Sequence, residues 1–187
     1  MPRKIGQGRT KMNVRVRNLR LSAYVFLSFV LIALSVSAQA QTKRSFQDCA
    51  KFANEEVPQR ICSFATTEGD QPHVRILSMC FADEKGFYFQ TESAKSVYKQ
   101  LQKNNKVELC FLAPKTMVMM RVTGKVEFLD DPGLKSKIYN ERPYLKNVGI
   151  KGPDDPLFAI FRVGSGEAWF WTIADSMKEA QIERIKF

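Results

Sequence analysis

Two turn sequences, Glu68-Gly69-Asp70-Gln71-Pro72 and Asp83-Glu84-Lys85-Gly86, cut residues 61–91 into three short runs rich in apolar, β-branched and aromatic residues. That punctuation commits this part of the chain to antiparallel strands. Strands are expected over residues 61–67, 73–81 and 87–91, the first two closing a hairpin. Further strands are expected over 107–112 and 116–129, and a last hairpin from 157–163 and 167–172 around Gly164-Ser165-Gly166. Gly124 is expected to mark a bulge bending the longest of them. Apolar residues at helical spacing predict helices over 45–54 and 93–103, the second carrying Val97 and Leu101 four apart and stopped by Asn104-Asn105. Pro132 opens another over 133–139, broken by Pro143, and the charged tail 177–187 is expected to be helical or extended along the surface. The reading is mainly β: a six-stranded antiparallel barrel with two or three short α-helices, closure removing the exposed strand edges.

The first forty residues are of another kind. Seven of the 29 Lys/Arg and none of the 19 Asp/Glu lie there, and an uncharged stretch from Leu21 to Thr42 ends in Ala38-Gln39-Ala40. A basic start, an apolar middle and a small-x-small close are the marks of a signal peptide, cleaved near Ala40. The expectation is an exported, periplasmic or otherwise extracytoplasmic protein with a single domain over 41–187. The alternative is an uncleaved membrane anchor over residues 21–40, since about 20 apolar residues span a bilayer. Met12 is a second candidate start.

Removing the leader also changes the charge argument. The whole chain is +10, but 22 basic against 19 acidic groups remain after residue 40. That near-balance, with lysines dispersed, excludes nucleic acid as the expected partner. Cys49, Cys62, Cys80 and Cys110 form no CxxC pair, and His73 is the only histidine, too few to complete a zinc site. Three of the cysteines sit in apolar runs, as buried free thiols do.

Arg75 is the residue that needs a reason, because its strand otherwise reads Val74, Ile76, Leu77, Met79, Cys80. Thr91, Ser93, Lys95 and Ser96 cluster where a strand hands over to a helix, whose free N–H groups and dipole favour an anion. Arginine binds phosphate bidentately. If consecutive strands pair, both clusters face one pocket and hold a phosphate between them. The alternative pairs Arg75 with a carboxylate such as Glu108 and makes Ser93 a plain helix N-cap. The residues alone leave both open.

Taken in order, Gly69-Asp70-Gln71-Pro72-His73-Val74-Arg75, Phe87-Tyr88-Phe89-Gln90-Thr91, Lys95 to Asn104, Val107-Glu108-Leu109 and Arg121-Val122-Thr123-Gly124-Lys125-Val126 resemble the pyridoxamine 5′-phosphate oxidase-like family of FMN-binding split barrels. The similarity covers residues 45–172. It implies a homodimer with FMN at the subunit interface. Arg75, Thr91, Ser93 and Lys95 would hold the phosphate, Ile76, Leu77 and Ser78 would line the isoalloxazine through their backbone, and Gln90 would lie nearby. The chain departs from the true oxidases in three places. Cys80 stands where they carry a lysine, Met119 where they carry a flavin-contacting glutamine, and their C-terminal Arg-x-His is absent. Tyr139-Asn140-Glu141-Arg142-Pro143 resembles their substrate-side Tyr and Arg-Pro only faintly, and a helix ended by proline explains it as well.

The leader and the resemblance together imply an exported FMN-dependent oxidoreductase, not a genuine pyridoxamine 5′-phosphate oxidase, in which flavin reduces or oxidises an unidentified small molecule. The alternative is a non-catalytic flavin- or haem-binding protein on the same barrel, with His73 as the haem ligand to test.

Overall fold

The computed structural model describes residues 43–187; the leader, its cleavage site and the anchor alternative lie outside the described residues. Among the described residues no helix is long and apolar enough to cross a membrane. The chain runs through α1 (Phe46–Lys51), β1 (Ile61–Glu68), β2 (Gln71–Ser78), β3 (Phe81–Asp83), β4 (Gly86–Glu92), α2 (Ser96–Lys103), β5 (Lys106–Ala113), β6 (Val118–Leu129), α3 (Pro132–Glu141), β7 (Phe158–Trp171) and β8 (Ile185–Lys186). Single-turn 3-10 and π segments fill several of the joints.

All strand pairs are antiparallel, in the order β2-β1-β5-β6-β7-β4-β3, with β8 added beside β7. The expected barrel class therefore holds: six long strands carry the sheet, and the short β3 and β8 are additions. Both turn sequences make two-residue hairpin loops, since Glu68 pairs with Gln71 and Asp83 with Gly86. Gly69 supplies the positive φ of the first, at +63°.

Two expectations are corrected. Residues 73–81 are not one strand. β2 stops at Ser78, after which Met79 N–H donates to the Arg60 carbonyl and Cys80 N–H to the Tyr88 carbonyl. The chain thus leaves the β1 side of the sheet and joins the β4 side. The two ends of the sheet path, β2 and β3, are consecutive in sequence, so the chain itself joins them without a ladder between them. The predicted last hairpin is also absent, because residues 158–171 form one strand. Gly164-Ser165-Gly166 bend it where its neighbour changes from β4 to β8, while β6 stays alongside. The expected bulge lies one residue beyond Gly124, between Lys125 and Val126.

The alternation of β1 and β5 sends Cys62, Phe64, Leu109 and Phe111 inward, where they meet Phe87, Phe89 and Phe161 in a buried core. Phe89 stacks on Phe161 at 5.4 Å between centroids and Phe87 on Phe111 at 5.7 Å. Each fully buried ring contributes on the order of 1.5–3 kcal/mol, and such pairs add about 0.5–1.5 kcal/mol. α1 seals one end: Phe46 lies flat on Phe187 at 4.3 Å, so the tail closes the core instead of trailing over the surface. α2 turns Val97 and Leu101 inward as its spacing predicts. A smaller core beneath α3 gathers Cys80, Tyr88, Ile138, Leu145, Phe158 and Ile160.

Gly166 sits directly across from Gly124 with φ +157°, and a Cβ there would overlap the Thr123 carbonyl oxygen. Gly166→Ala is expected to cost about 2 kcal/mol or more by overpacking. Gly152→Ala, where a Cβ meets open space, should be close to neutral. Denaturant melts of the two variants make the comparison.

Candidate functional site

β2 alternates, sending Val74, Ile76 and Ser78 to one face and His73, Arg75 and Leu77 to the other. Leu77 packs against the core and Ile76 is exposed. Arg75 lies opposite Phe64 of β1, and its guanidinium reaches past that strand to α2. Nη1 donates to Thr66 Oγ1 at 2.7 Å and the Phe64 carbonyl at 3.4 Å; Nη2 donates to Gln100 Oε1 at 2.8 Å. All three acceptors are neutral. The carboxylate alternative is overturned: Glu108 holds Arg121, which also reaches Glu179 at 2.8 Å, and Arg75 enters no ion pair among the described residues. Burial lowers the Arg75 pKa from its ordinary value, yet guanidinium stays charged at any working pH. A half-buried cation without a counter-ion among the described residues is the main electrostatic feature of the site.

The second cluster is arranged differently from the sequence reading. Thr91 is buried in β4 opposite Ala159 of β7. Ser93 Oγ donates to the Pro156 carbonyl at 3.2 Å, so it is not the helix cap. Lys95 is the N-cap residue; its side chain makes no capping bond and pairs with the Glu92 carboxylate. Tyr98 and Lys99 N–H both return to the Lys95 carbonyl, which leaves Ser96 and Val97 N–H without partners in the helix. The start of α2 is therefore an uncapped, positive helix end.

The expected pairing of the two strands is also corrected: β2 pairs with β1, and β4 with β3 and β7. What joins the clusters is α2, which begins at the uncapped end and presents Gln100 to Arg75. Lys95 and Gln100 are about 7.5 Å apart along the axis at 1.5 Å per residue.

Gln90 and Ser78 belong to a third group, at the corner where β2 passes into β3. Gln90 Nε2 donates to Tyr144 Oη at 3.0 Å, while its buried Oε1 has no partner among the described residues. Arg142 Nη1 donates to the same hydroxyl at 2.9 Å, and Nη2 to the Met79 carbonyl at 2.7 Å and the Ser78 carbonyl at 3.3 Å. Arg60 Nη1 holds the Cys80 carbonyl, and Ser78 Oγ donates to the Gln59 carbonyl at 2.9 Å. Arg60, Ser78, Cys80, Arg142 and Tyr144 line a cavity of about 770 Å³. Arg142 belongs to the segment that a helix ended by proline explained equally well, with its Arg-Pro step as the available signal; Tyr144 carried no signal in the sequence.

The four thiols are free. Burial pushes Cys49 up to about 12 and Cys80 up to about 11, and raises Cys62 and Cys110 as well. Among the described residues no three His, Cys, Asp or Glu side chains could hold a metal ion. His73 lies half-buried opposite Thr66.

The family model for pyridoxamine 5′-phosphate oxidase matches residues 50–172. The chain belongs to that family. A pyridoxine/pyridoxamine 5′-phosphate oxidase of Pseudomonas putida strain W619 is 30% identical over 105 residues, 56% of this chain and 48% of the relative. The match thus spans about half the length of that curated relative. Among solved structures, a NimC/NimA family protein of Clostridium acetobutylicum aligns with TM-score 0.60 and 28% identity, over 74% of this chain and 94% of that one. A pyridoxamine 5′-phosphate oxidase-related, FMN-binding protein of Nostoc punctiforme aligns with TM-score 0.59 and 14% identity, over 78% and 98%. At that identity the likeness speaks for the split-barrel fold.

Reactivity follows thiolate fraction and access. Cys49, Cys62 and Cys80 should stay silent to a thiol-titrating disulfide reagent at pH 8 and react only on unfolding. At most one thiol, Cys110, should titrate in the native protein, against four in denaturant.

Proposed function

We propose that this protein is an exported FMN-binding oxidoreductase whose flavin reduces or oxidises a small molecule. The observation that carries the proposal is Arg75, a half-buried guanidinium met only by neutral acceptors. A phosphate dianion would supply the missing countercharge. Arg75 and the free N–H groups at the start of α2 would hold it, with Thr91, Ser93 and Lys95 shaping that end of the site. The backbone of Ile76, Leu77 and Ser78 would flank the ring system, and the unpartnered Gln90 Oε1 offers an acceptor to a ring N–H. Bound flavin supplies one- and two-electron transfer, and the protein's part is to bind, orient and tune it.

The departures from the true oxidases favour a different reaction. Cys80, in place of their lysine, is buried and neutral, and Met119 stands opposite Leu112 and Trp171 in the sheet with its sulfur 4.0 Å from Cys110 Sγ, where it brings no amide.

A homodimer is part of the proposal. Val74 and Ile76 are 67% and 64% exposed, and Ala65 and Ser63 stand beside them on the same face. Leu112 and Ile61 extend that face across β5 and β1. An apolar sheet face of this kind suits a second copy of the chain. The leader supports export and lies outside the described residues.

Purified protein should bind added FMN with stoichiometric quenching of flavin fluorescence and sediment as a dimer. Protein that is colourless, ignores FMN and stays monomeric would sink the proposal. Arg75→Ala should weaken FMN binding by about ten- to a hundredfold, the range of a lost charge-assisted hydrogen bond.

A further inference from the structure

Gln100 is 2% exposed and Thr66 is also 2% exposed, and each accepts a hydrogen bond from Arg75. Gln100 Oε1 accepts from Arg75 Nη2 at 2.8 Å and from Thr66 Oγ1 at 2.7 Å. On its other side Nε2 donates to Glu68 Oε2 at 3.4 Å. Glu68 is already matched, because Lys103 donates to its Oε1 at 3.0 Å. One neutral amide therefore stands between a satisfied carboxylate–ammonium pair and an arginine with no counter-ion among the described residues. Its orientation is fixed by the network: turned over, its NH₂ would face the guanidinium and the Thr66 hydroxyl would lose its acceptor.

A carboxylate at this position would keep the bonds from Arg75 and Thr66 and neutralise Arg75, but it would lose the donor to Glu68 and set two carboxylates side by side. An apolar residue would leave Arg75 charged but unaimed. Only an amide, or a group like it, aims the guanidinium while leaving its charge unspent.

We infer that Gln100 is a positioning residue that keeps Arg75 both aligned and uncompensated, and that it thereby sets the preference of the site for a phosphorylated flavin over an unphosphorylated one. The inference rests on the flavin reading above and adds to it a residue outside the strand and helix-start clusters. It predicts a specificity effect, because riboflavin differs from FMN only by lacking the phosphate.

The experiment is a pair of titrations, FMN and riboflavin, on the full-length protein and on Gln100→Glu, Gln100→Met and Arg75→Ala. Gln100→Glu should weaken FMN binding by about tenfold or more while riboflavin affinity stays within about twofold. Gln100→Met should shift the same ratio in the same direction by less, and decides the question if Gln100→Glu does not fold. In the Arg75→Ala background both substitutions should lose their effect on the ratio, since a positioning residue has nothing left to position. A wild-type ratio in both Gln100 variants, with Arg75→Ala still impaired, overturns the role of Gln100 and leaves the flavin site standing. Wild-type FMN affinity in Arg75→Ala overturns the phosphate reading itself. A purely structural role would lower FMN and riboflavin affinity together, and that outcome also overturns the inference.

Discussion

The two peptide units at Met79 and Cys80 carry the architecture. β2 and β3 are the two ends of the sheet path, and the chain steps directly from one to the other. Main-chain bonds from Met79 to Arg60 and from Cys80 to Tyr88 anchor the step to both halves of the sheet. The exposed carbonyls of the step are taken by Arg60 and Arg142. That corner joins the two ends of the sheet path through the chain, although no ladder pairs β2 with β3. With it, rings from both halves fill one interior, and Phe64 meets Phe89 and Phe161 edge-on at 5.4 and 5.9 Å.

Five of the described arginines fall into two kinds. Arg121 and Arg162 sit on the sheet with carboxylates, Glu108 and Glu127, and close local charge pairs at half-exposed positions. Exposed pairs of this sort are worth little individually. Arg60, Arg75 and Arg142 instead bond to carbonyls, hydroxyls and an amide around β2 and its exit. Among the described residues these three make no ion pair, although Glu55 and Glu141 line the same cavity as Arg60 and Arg142. An anion at that place meets donors already oriented, so little reorganisation opposes its binding.

Much of this was legible locally. The two-residue loops followed from Gly69-Asp70 and Glu84-Lys85, and the inward residues of α2 from Val97 and Leu101. Arg75 stood out because a charged residue in an apolar strand demands a partner. What sequence could not supply was the partner. Thr66 and Gln100 look like an ordinary strand threonine and a solvent-facing helix glutamine, and only their burial beside Arg75 gives them meaning. The long-range joints failed for the same reason. Nothing in residues 73–81 says that its two halves pair with different strands. The glycines at 164 and 166 signal a turn as readily as the bend of one continuous strand, and register with β6 decides between them. Ser93 had the right chemistry for a cap, but the loop before β7 claimed its hydroxyl.

The stack of Phe46 on Phe187 sets an order of events for folding. Contacts between positions so far apart in sequence form late and slowly, because the intervening loop entropy must be met first. Until residue 187 is available, one mouth of the aromatic interior stays open to water, with Phe87 at its rim. While that contact is unmade, the mouth stays exposed. In that interval, more than in the finished molecule, the chain depends on being kept from its neighbours.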